Sequence, residues 1–379
     1  MQWKVPLADL DYDACEQAAV KAVLDSGWLT MGEVTCQFEA AFAELTGAKH
    51  AIAVSNATHA LHLACLALGI GPGDEVIVPS LTFVATGNAV LYCGADVRFA
   101  EIISANDLTL DPVSVEAQIT PRTKAIIVMH YAGYPCRMEE IMTLAQKHKL
   151  AVIEDAAHAP GSTLDGKALG TWGEIGCFSF FSSKNLTTAE GGMLTTNRDD
   201  LARKLRLTRS HGMTSLTYDR HQGHAFSYDV VDLGYNYRID EIRSALGLVQ
   251  LEKLPENNAR RRALTQAYWE LLGETTLTLP FKDRDLAQSA CHIFPVLLPE
   301  GADRGAFMTG LRDAGVQSSI HYRPVHTFSY YVEHYGEQHL PLTEAVAKRE
   351  VTLPLYPTMG EEQLNSVVEV VRKQLKGAG

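Results

Sequence analysis

Lys184 closes the run Gly176-Cys-Phe-Ser-Phe-Phe-Ser-Ser-Lys184, in which apolar and small residues alternate before a single amine. Such alternation reads as a half-buried strand. A lysine carried by that strand into a partly desolvated pocket has its ammonium form disfavoured, which frees the amine to condense with a carbonyl. Upstream, Leu150-Ala-Val-Ile-Glu-Asp155 is an apolar run that ends in two carboxylates and is followed by Ala-Ala-His158. A buried strand ending in Asp, with a lysine about thirty residues on, is the pair that pyridoxal phosphate (PLP) chemistry requires. The lysine holds the aldehyde, and the carboxylate keeps the pyridine nitrogen protonated so that the ring accepts electrons. Each residue also has a plainer reading: Asp155 as the cap of the next helix, and His158 as a satisfied loop histidine.

Further constellations surround this pair. Ser55-Asn-Ala-Thr-His-Ala-Leu61 ends one apolar run and opens a helical pattern. Amides at a helix N-terminus lack intrahelical partners and favour anions, so this turn suits a phosphate, while Asn56 or Thr58 also reads as a simple N-cap. Phe83, in Pro79-Ser-Leu-Thr-Phe83, places an aromatic just after another apolar run, where an isolated aromatic reads most simply as core. Gly69-Ile-Gly-Pro-Gly-Asp74 imitates a dinucleotide fingerprint but follows a helix and precedes a strand, the reverse of the required context. It is a loop.

The elements that must position these residues follow from periodicity. Short apolar runs begin at His50, Glu75, Asp96, Lys124, Leu150, Cys177 and Gly192, with helical patterns between most of them. Near-continuous apolar strands separated by helices predict a mostly parallel sheet covered on both faces, an α/β class whose sites gather at the carboxyl ends of the strands. With 379 residues, two domains are expected. The boundary is placed at Pro255, within a helical stretch from about Ile239 to Leu272, giving a large domain over 1–254 and a smaller α+β domain over 255–379. In the latter, His292–Pro299 and Val316–Tyr322 read as extended, Phe307–Ala314 as a helix, and Glu361–Leu375 as the closing helix. A helix around Cys15–Leu24 is expected to pack back on the large domain. Net charge −12, with 46% apolar and 21% charged residues, describes a globular enzyme and argues against nucleic acid or an anionic membrane as partner. Seven scattered cysteines without a Cys-x-x-Cys pair, no signal-peptide pattern and no span of membrane length predict a cytoplasmic, reduced protein, and no metal site is expected.

Glu154-Asp-Ala-Ala-His-Ala, Phe178-Ser-Phe-Phe-Ser-Ser-Lys184-Asn-Leu-Thr-Thr-Ala-Glu-Gly-Gly192 and Gly234-Tyr-Asn-Tyr-Arg-Ile-Asp-Glu-Ile-Arg-Ser-Ala-Leu-Gly247 together resemble the DegT-type nucleotide-sugar aminotransferases, PLP enzymes of the aspartate-aminotransferase-like fold type I. The resemblance runs from Pro6 to Leu355. It implies Ala57, Thr58 and Ser179 at the cofactor phosphate, Phe83 stacked on the pyridine ring, Asp155 at the ring nitrogen and His158 near the phenolic oxygen. Lys184 becomes the cofactor-bearing residue. Asn236 is implied to cross a homodimer interface to the neighbouring subunit's phosphate, so that active sites are shared. His321, Tyr322 and Arg323 resemble a substrate-side segment of enzymes that aminate the C4 ketone of a nucleotide-linked sugar, with Arg323 either at a diphosphate or donor carboxylate or on the surface. The implied reaction moves an amino group from an amino acid, with L-glutamate expected, to a nucleotide-linked 4-keto-6-deoxyhexose. The product would serve polysaccharide, antibiotic-sugar or lipid-modification pathways. A C3 ketosugar, a keto-inositol, or a non-catalytic regulatory role are the alternatives. The dehydratases of the same fold replace the lysine by histidine, and Lys184 argues against them.

Overall fold

The computed structural model describes residues 3–215, 223 and 227–377. Seven strands form the central sheet: β1 (His50–Val54), β2 (Glu75–Pro79), β3 (Asp96–Ala100), β4 (Thr123–Met129), β5 (Ala151–Asp155), β6 (Ile175–Ser179) and β7 (Gly192–Thr196). Their order is β1-β7-β6-β5-β4-β2-β3. All neighbours are parallel except β7, which runs antiparallel to both β1 and β6. The chain has no helix between Ser179 and Gly192 to carry a parallel crossover, so the strand must return in the opposite direction.

Burial on both faces explains the apolar strand texts. Ile52, Val54, Ile153, Ile175 and Leu194 pack against the helix Ala57–Ala67 on one side. Ala51, Ala53, Phe178 and Met193 face Phe38 and Phe42 on the other, and Ile126, Val128 and Val152 meet Ile141 and Leu144. The half-buried strand expected before Lys184 is in fact buried throughout and ends at Ser179. It is an inner strand of the sheet, so its alternating text records two different packing partners rather than one wet face.

The helix Glu241–Leu272 continues through Pro255, where the sequence suggested a break. The boundary expected there thus falls inside a continuous helix. A mid-helix proline costs roughly 3 kcal/mol, and anchors on both sides of Pro255 offset it. At one end the Glu241 carboxylate accepts from the amides of Gly32, Val34 and Thr35. At the other, buried Arg261 donates to the carbonyls of His292 and Leu355. The N-terminal helix Ala14–Ser26 packs on the same element, where Glu16 meets Gln250 and Lys253. Beyond it, Phe294–Leu297 pairs antiparallel with Glu350–Leu353, flanked by the helices Arg304–Asp313, Pro341–Arg349 and Glu361–Gly377. The extended segment expected over 316–322 makes only single bridges, Val316 to Val5 and Ser319 to Thr352. The Glu350–Leu353 strand takes the pairing edge of Phe294–Leu297. No helix among the described residues is long and apolar enough to cross a membrane.

Candidate active site

A cavity of about 470 Å³ opens over the carboxyl ends of the central strands, and Asp155 and Lys184 both line it. Asp155 is the last residue of its strand and is 5% exposed. Its carboxylate accepts from Thr86 Oγ1 at 2.7 Å and from the Ala157 amide at 3.2 Å. Burial still pushes its carboxyl above the usual range, against those two bonds and the nearby Lys184 charge. A buried carboxylate of this kind favours a cationic N–H partner. Lys184 sits on a turn, its amide bonded to the Phe181 carbonyl at 2.9 Å. Desolvation lowers its amine to about 8, with Asp155 opposing the shift.

At one end of the cavity the helix Ala57–Ala67 presents its N-terminus. Asn56 caps it by accepting from the His59 amide at 2.9 Å, and Ala57 and Thr58 line the cavity. The cap does not compete with an anion here, because it takes His59 and leaves the first two amides without intrahelical partners. Gly192 lets the antiparallel strand close on this turn: a methyl there would stand 2.7 Å from the Asn56 carbonyl carbon and 2.9 Å from the Ala57 nitrogen. Ser179 and His158 also face in. Phe83 borders the opening, 56% exposed, with its ring 6.1 Å from that of Tyr322.

The opposite wall comes from the C-terminal third, through His292, His321 and Tyr322. Hydrogen bonding decides which ring nitrogens carry protons. His158 Nδ1 accepts from the Ala132 amide at 3.2 Å, so its Nε2–H points at the Tyr322 hydroxyl, 2.8 Å away. Asn258 donates to the Pro160 carbonyl, which fixes its amide oxygen as acceptor for Asn185 Nδ2 at 2.8 Å. Asn185 Nδ2 also donates to the Ala290 carbonyl, so its Oδ1 must face His292 Nδ1, at 2.8 Å. His292 Nδ1 is therefore protonated. Its Nε2 turns a lone pair toward Lys184 Nζ at 3.3 Å. Burial holds both imidazoles neutral, with their pKa values well below the ordinary one.

Not every expected residue is in this cavity. Arg323 is exposed and bonds Thr327 through Nε and Nη2, with its guanidinium over Phe328. Asn236 is likewise exposed and does not line it, its backbone bridged to Ser210. Conversely, His292, Asn185 and Thr86 belong to the site although no local pattern marked them. His292 meets Lys184 and Thr86 meets Asp155 only through tertiary folding, across 108 and 69 residues, while Asn185, next to Lys184 in sequence, reaches the site through its bond to His292, 107 residues away.

The model of the DegT/DnrJ/EryC1/StrS aminotransferase family matches residues 11–372. The chain belongs to this family. It is 41% identical over 367 residues to the spore coat polysaccharide biosynthesis protein SpsC of Bacillus subtilis (strain 168), covering 95% of this chain and 94% of SpsC. Among solved structures it is similar to Helicobacter pylori PseC, an aminotransferase involved in pseudoaminic acid biosynthesis, at TM-score 0.91 and 30% identity over the whole of both chains. It is also similar to the PLP form of Spr1654 from Streptococcus pneumoniae, at TM-score 0.92 and 27% identity over 99% of each chain. As a member of this aminotransferase family, the protein is a PLP-dependent enzyme with the fold of these relatives. The cavity fits the cofactor: unpartnered helix amides at one end, a buried carboxylate seeking a cation and a desolvated amine.

Proposed function

We propose that this aminotransferase moves an amino group from L-glutamate to the C4 ketone of a nucleotide-linked 4-keto-6-deoxy sugar. The observation that carries the proposal is the single cavity shared by Lys184, Asp155 and the His321-Tyr322 segment. Ala57, Thr58 and Ser179 would hold the cofactor phosphate, Phe83 would cover the ring face, and Asp155 would pair with the ring nitrogen. His158 would stand at the ring edge, held by Ala132 and Tyr322. When bound, PLP supplies an electron sink for the pair released at the amino acid's Cα.

The remaining steps belong to the protein. With its amine near 8, Lys184 is neutral in a useful fraction at physiological pH and attacks or accepts protons without prior deprotonation by another base. Once released, Lys184 Nζ would take the proton from the donor Cα and return it two bonds away, on the far side of the nitrogen. His292 Nε2, an acceptor only, holds one N–H of that amine so that its lone pair is aimed. In the second half of the cycle the same group works in the opposite direction on the acceptor carbon.

Exposed apolar residues at the opening, Phe83 and Phe181, support a homodimer in which the partner subunit completes the site, with exposed Asn236 reaching across. The smaller C-terminal unit, 255–379, is proposed as a second domain with its own strand pair and helices. The test of the function is direct. Purified protein with PLP is yellow, bleaches on adding glutamate, and recovers its colour on adding a nucleotide-linked 4-ketosugar. Bleaching without recovery by any C4 ketosugar, but with recovery by a 3-ketosugar or keto-inositol, overturns the substrate assignment. A protein that stays colourless with PLP overturns the enzyme reading of this site.

A further inference from the structure

One buried acid has no part in the machinery above. Glu350, the first residue of the strand Glu350–Leu353, is fully buried behind the His321-Tyr322 segment. Its Oε2 accepts from the His321 amide at 2.7 Å, and its Oε1 lies 2.6 Å from Thr352 Oγ1. Thr352 Oγ1 is in turn 2.8 Å from His321 Nδ1. The His321 ring lines the cavity, and its Nε2 makes no hydrogen bond among the described residues. A carboxyl, a hydroxyl and an imidazole thus stand in one unbroken line that ends at an open ring nitrogen.

We propose that Glu350, Thr352 and His321 form a proton relay that opens into the cavity at His321 Nε2. It deepens the aminotransferase reading, since the acceptor's carbonyl oxygen must leave as water and needs a proton to do so. With Glu350 protonated at Oε1, the acid donates to Thr352, Thr352 donates to His321 Nδ1, and Nε2 carries the only outward N–H. On delivery, the Nε2 proton passes to the departing oxygen as its bond to carbon breaks. The Thr352 proton moves to Nδ1 and the Glu350 proton moves to Thr352. One proton enters the cavity and one negative charge remains on Glu350, which is reset by a proton taken up at Nε2. Nothing is oxidised or reduced.

The surroundings set the acidity of this line. Burial raises Glu350 to about 8, offset by Thr352, the His321 amide and the Arg304 charge, whose guanidinium reaches the Glu350 backbone carbonyl. Tyr131 and Tyr322 face the same region, and the Tyr131 hydroxyl donates to the His321 carbonyl. His321 itself is lowered to about 3 by burial and by Lys184. Its ring is therefore not a conventional acid, and the relay lets a neutral imidazole release a proton by placing the charge on Glu350. The relay is loaded below its transition and spent above it.

Glu350→Gln distinguishes the relay from a merely structural carboxylate. The Gln carbonyl still accepts the His321 amide, so its NH₂ must donate to Thr352, which locks His321 with hydrogen on Nε2. The experiment is NMR of the ¹⁵N,¹³C-histidine-labelled holoenzyme between pH 6 and 10, with His321→Gln used to assign the signal. In wild type the His321 ring is expected to pass from the Nε2–H to the Nδ1–H tautomer as pH rises through about 8. Glu350→Gln is expected to stay Nε2–H throughout, to lose the alkaline break in acceptor turnover, and to slow that half-reaction by about 10²-fold, a typical share for general-acid catalysis. Thr352→Val should abolish the transition and Thr352→Ser should restore it, which keeps the test available if the Gln variant does not fold. A wild-type ring that keeps one tautomer across this range, or a Gln variant holding Nδ1–H, overturns the relay. The tautomer result stands whether or not any ketosugar proves to be a substrate, so the two proposals fail separately.

Discussion

Replacing His292 by Phe tests the proton assignment around Lys184 through its sign. As the hydrogen bonds place them, neutral His292 offers only a lone pair to Lys184 Nζ at 3.3 Å. An acceptor bonded to a charged donor is worth about 1.5–3 kcal/mol, against about 1 kcal/mol for a neutral amine. Its loss therefore withdraws on the order of 1–2 kcal/mol from the ammonium form, close to one pKa unit. Starting from about 8, where desolvation has already brought it, the amine should fall to roughly 7. The assay is the pH dependence of Lys184 acylation in cofactor-free protein, read by mass spectrometry of its peptide. The same substitution leaves the Asn185 oxygen without its donor, so the melting temperature should fall by a few degrees. A rise in the Lys184 pKa would mean that His292 had been a cation repelling the ammonium. That result would refute the tautomer chain from Pro160 through Asn258 and Asn185.

Other expectations follow from the same cavity. Lys184→Ala should abolish the yellow colour and slow amino transfer by more than about 10²–10⁴-fold, measured by keto-acid formation from glutamate. Phe83→Ala should weaken PLP binding several-fold to about tenfold, the scale of one aromatic contact, while the melting temperature of the cofactor-free protein stays nearly unchanged because the ring is half-exposed. Asp155→Asn should inactivate the holoenzyme yet stabilise the cofactor-free protein at pH 8. Burial raises the Asp155 carboxyl, so the wild type loses stability as pH climbs from the unfolded value through the folded one. Thermal melts at pH 4 and pH 8 should show the variant's advantage only at the higher value.

The placement of Lys184 and Asp155 in one cavity was legible because each stands beside an apolar run whose end marks the carboxyl edge of the sheet. All seven sheet strands announced themselves the same way, since burial on both faces leaves little room for polar residues. The direction of Gly192–Thr196 was not legible, because strand text carries no polarity and only the missing crossover helix decides it. His292 was hidden for a different reason: Cys291-His292-Ile293 resembles any strand entry, and its role exists only once the C-terminal third folds over Lys184. Arg323 illustrates the converse. Its type suits an anion, but Thr327, four residues on, satisfies it locally. Pro255 misled because helix-breaking is a local cost, whereas the anchors at Glu241 and Arg261 are remote in sequence.

The antiparallel strand also sets a timetable. In the central sheet His50–Val54 pairs only with Gly192–Thr196, with Val54 opposite Gly192, so an edge made early in synthesis waits for a partner made about 140 residues later. The helix N-terminus at Ala57, proposed to hold the phosphate, is braced by that same late strand. On the ribosome, the nascent chain therefore carries Asp155 and Lys184 before it has a finished anion site. The turn at Asn56 and Ala57 thus reaches its final packing only when both ends of that pairing have been made.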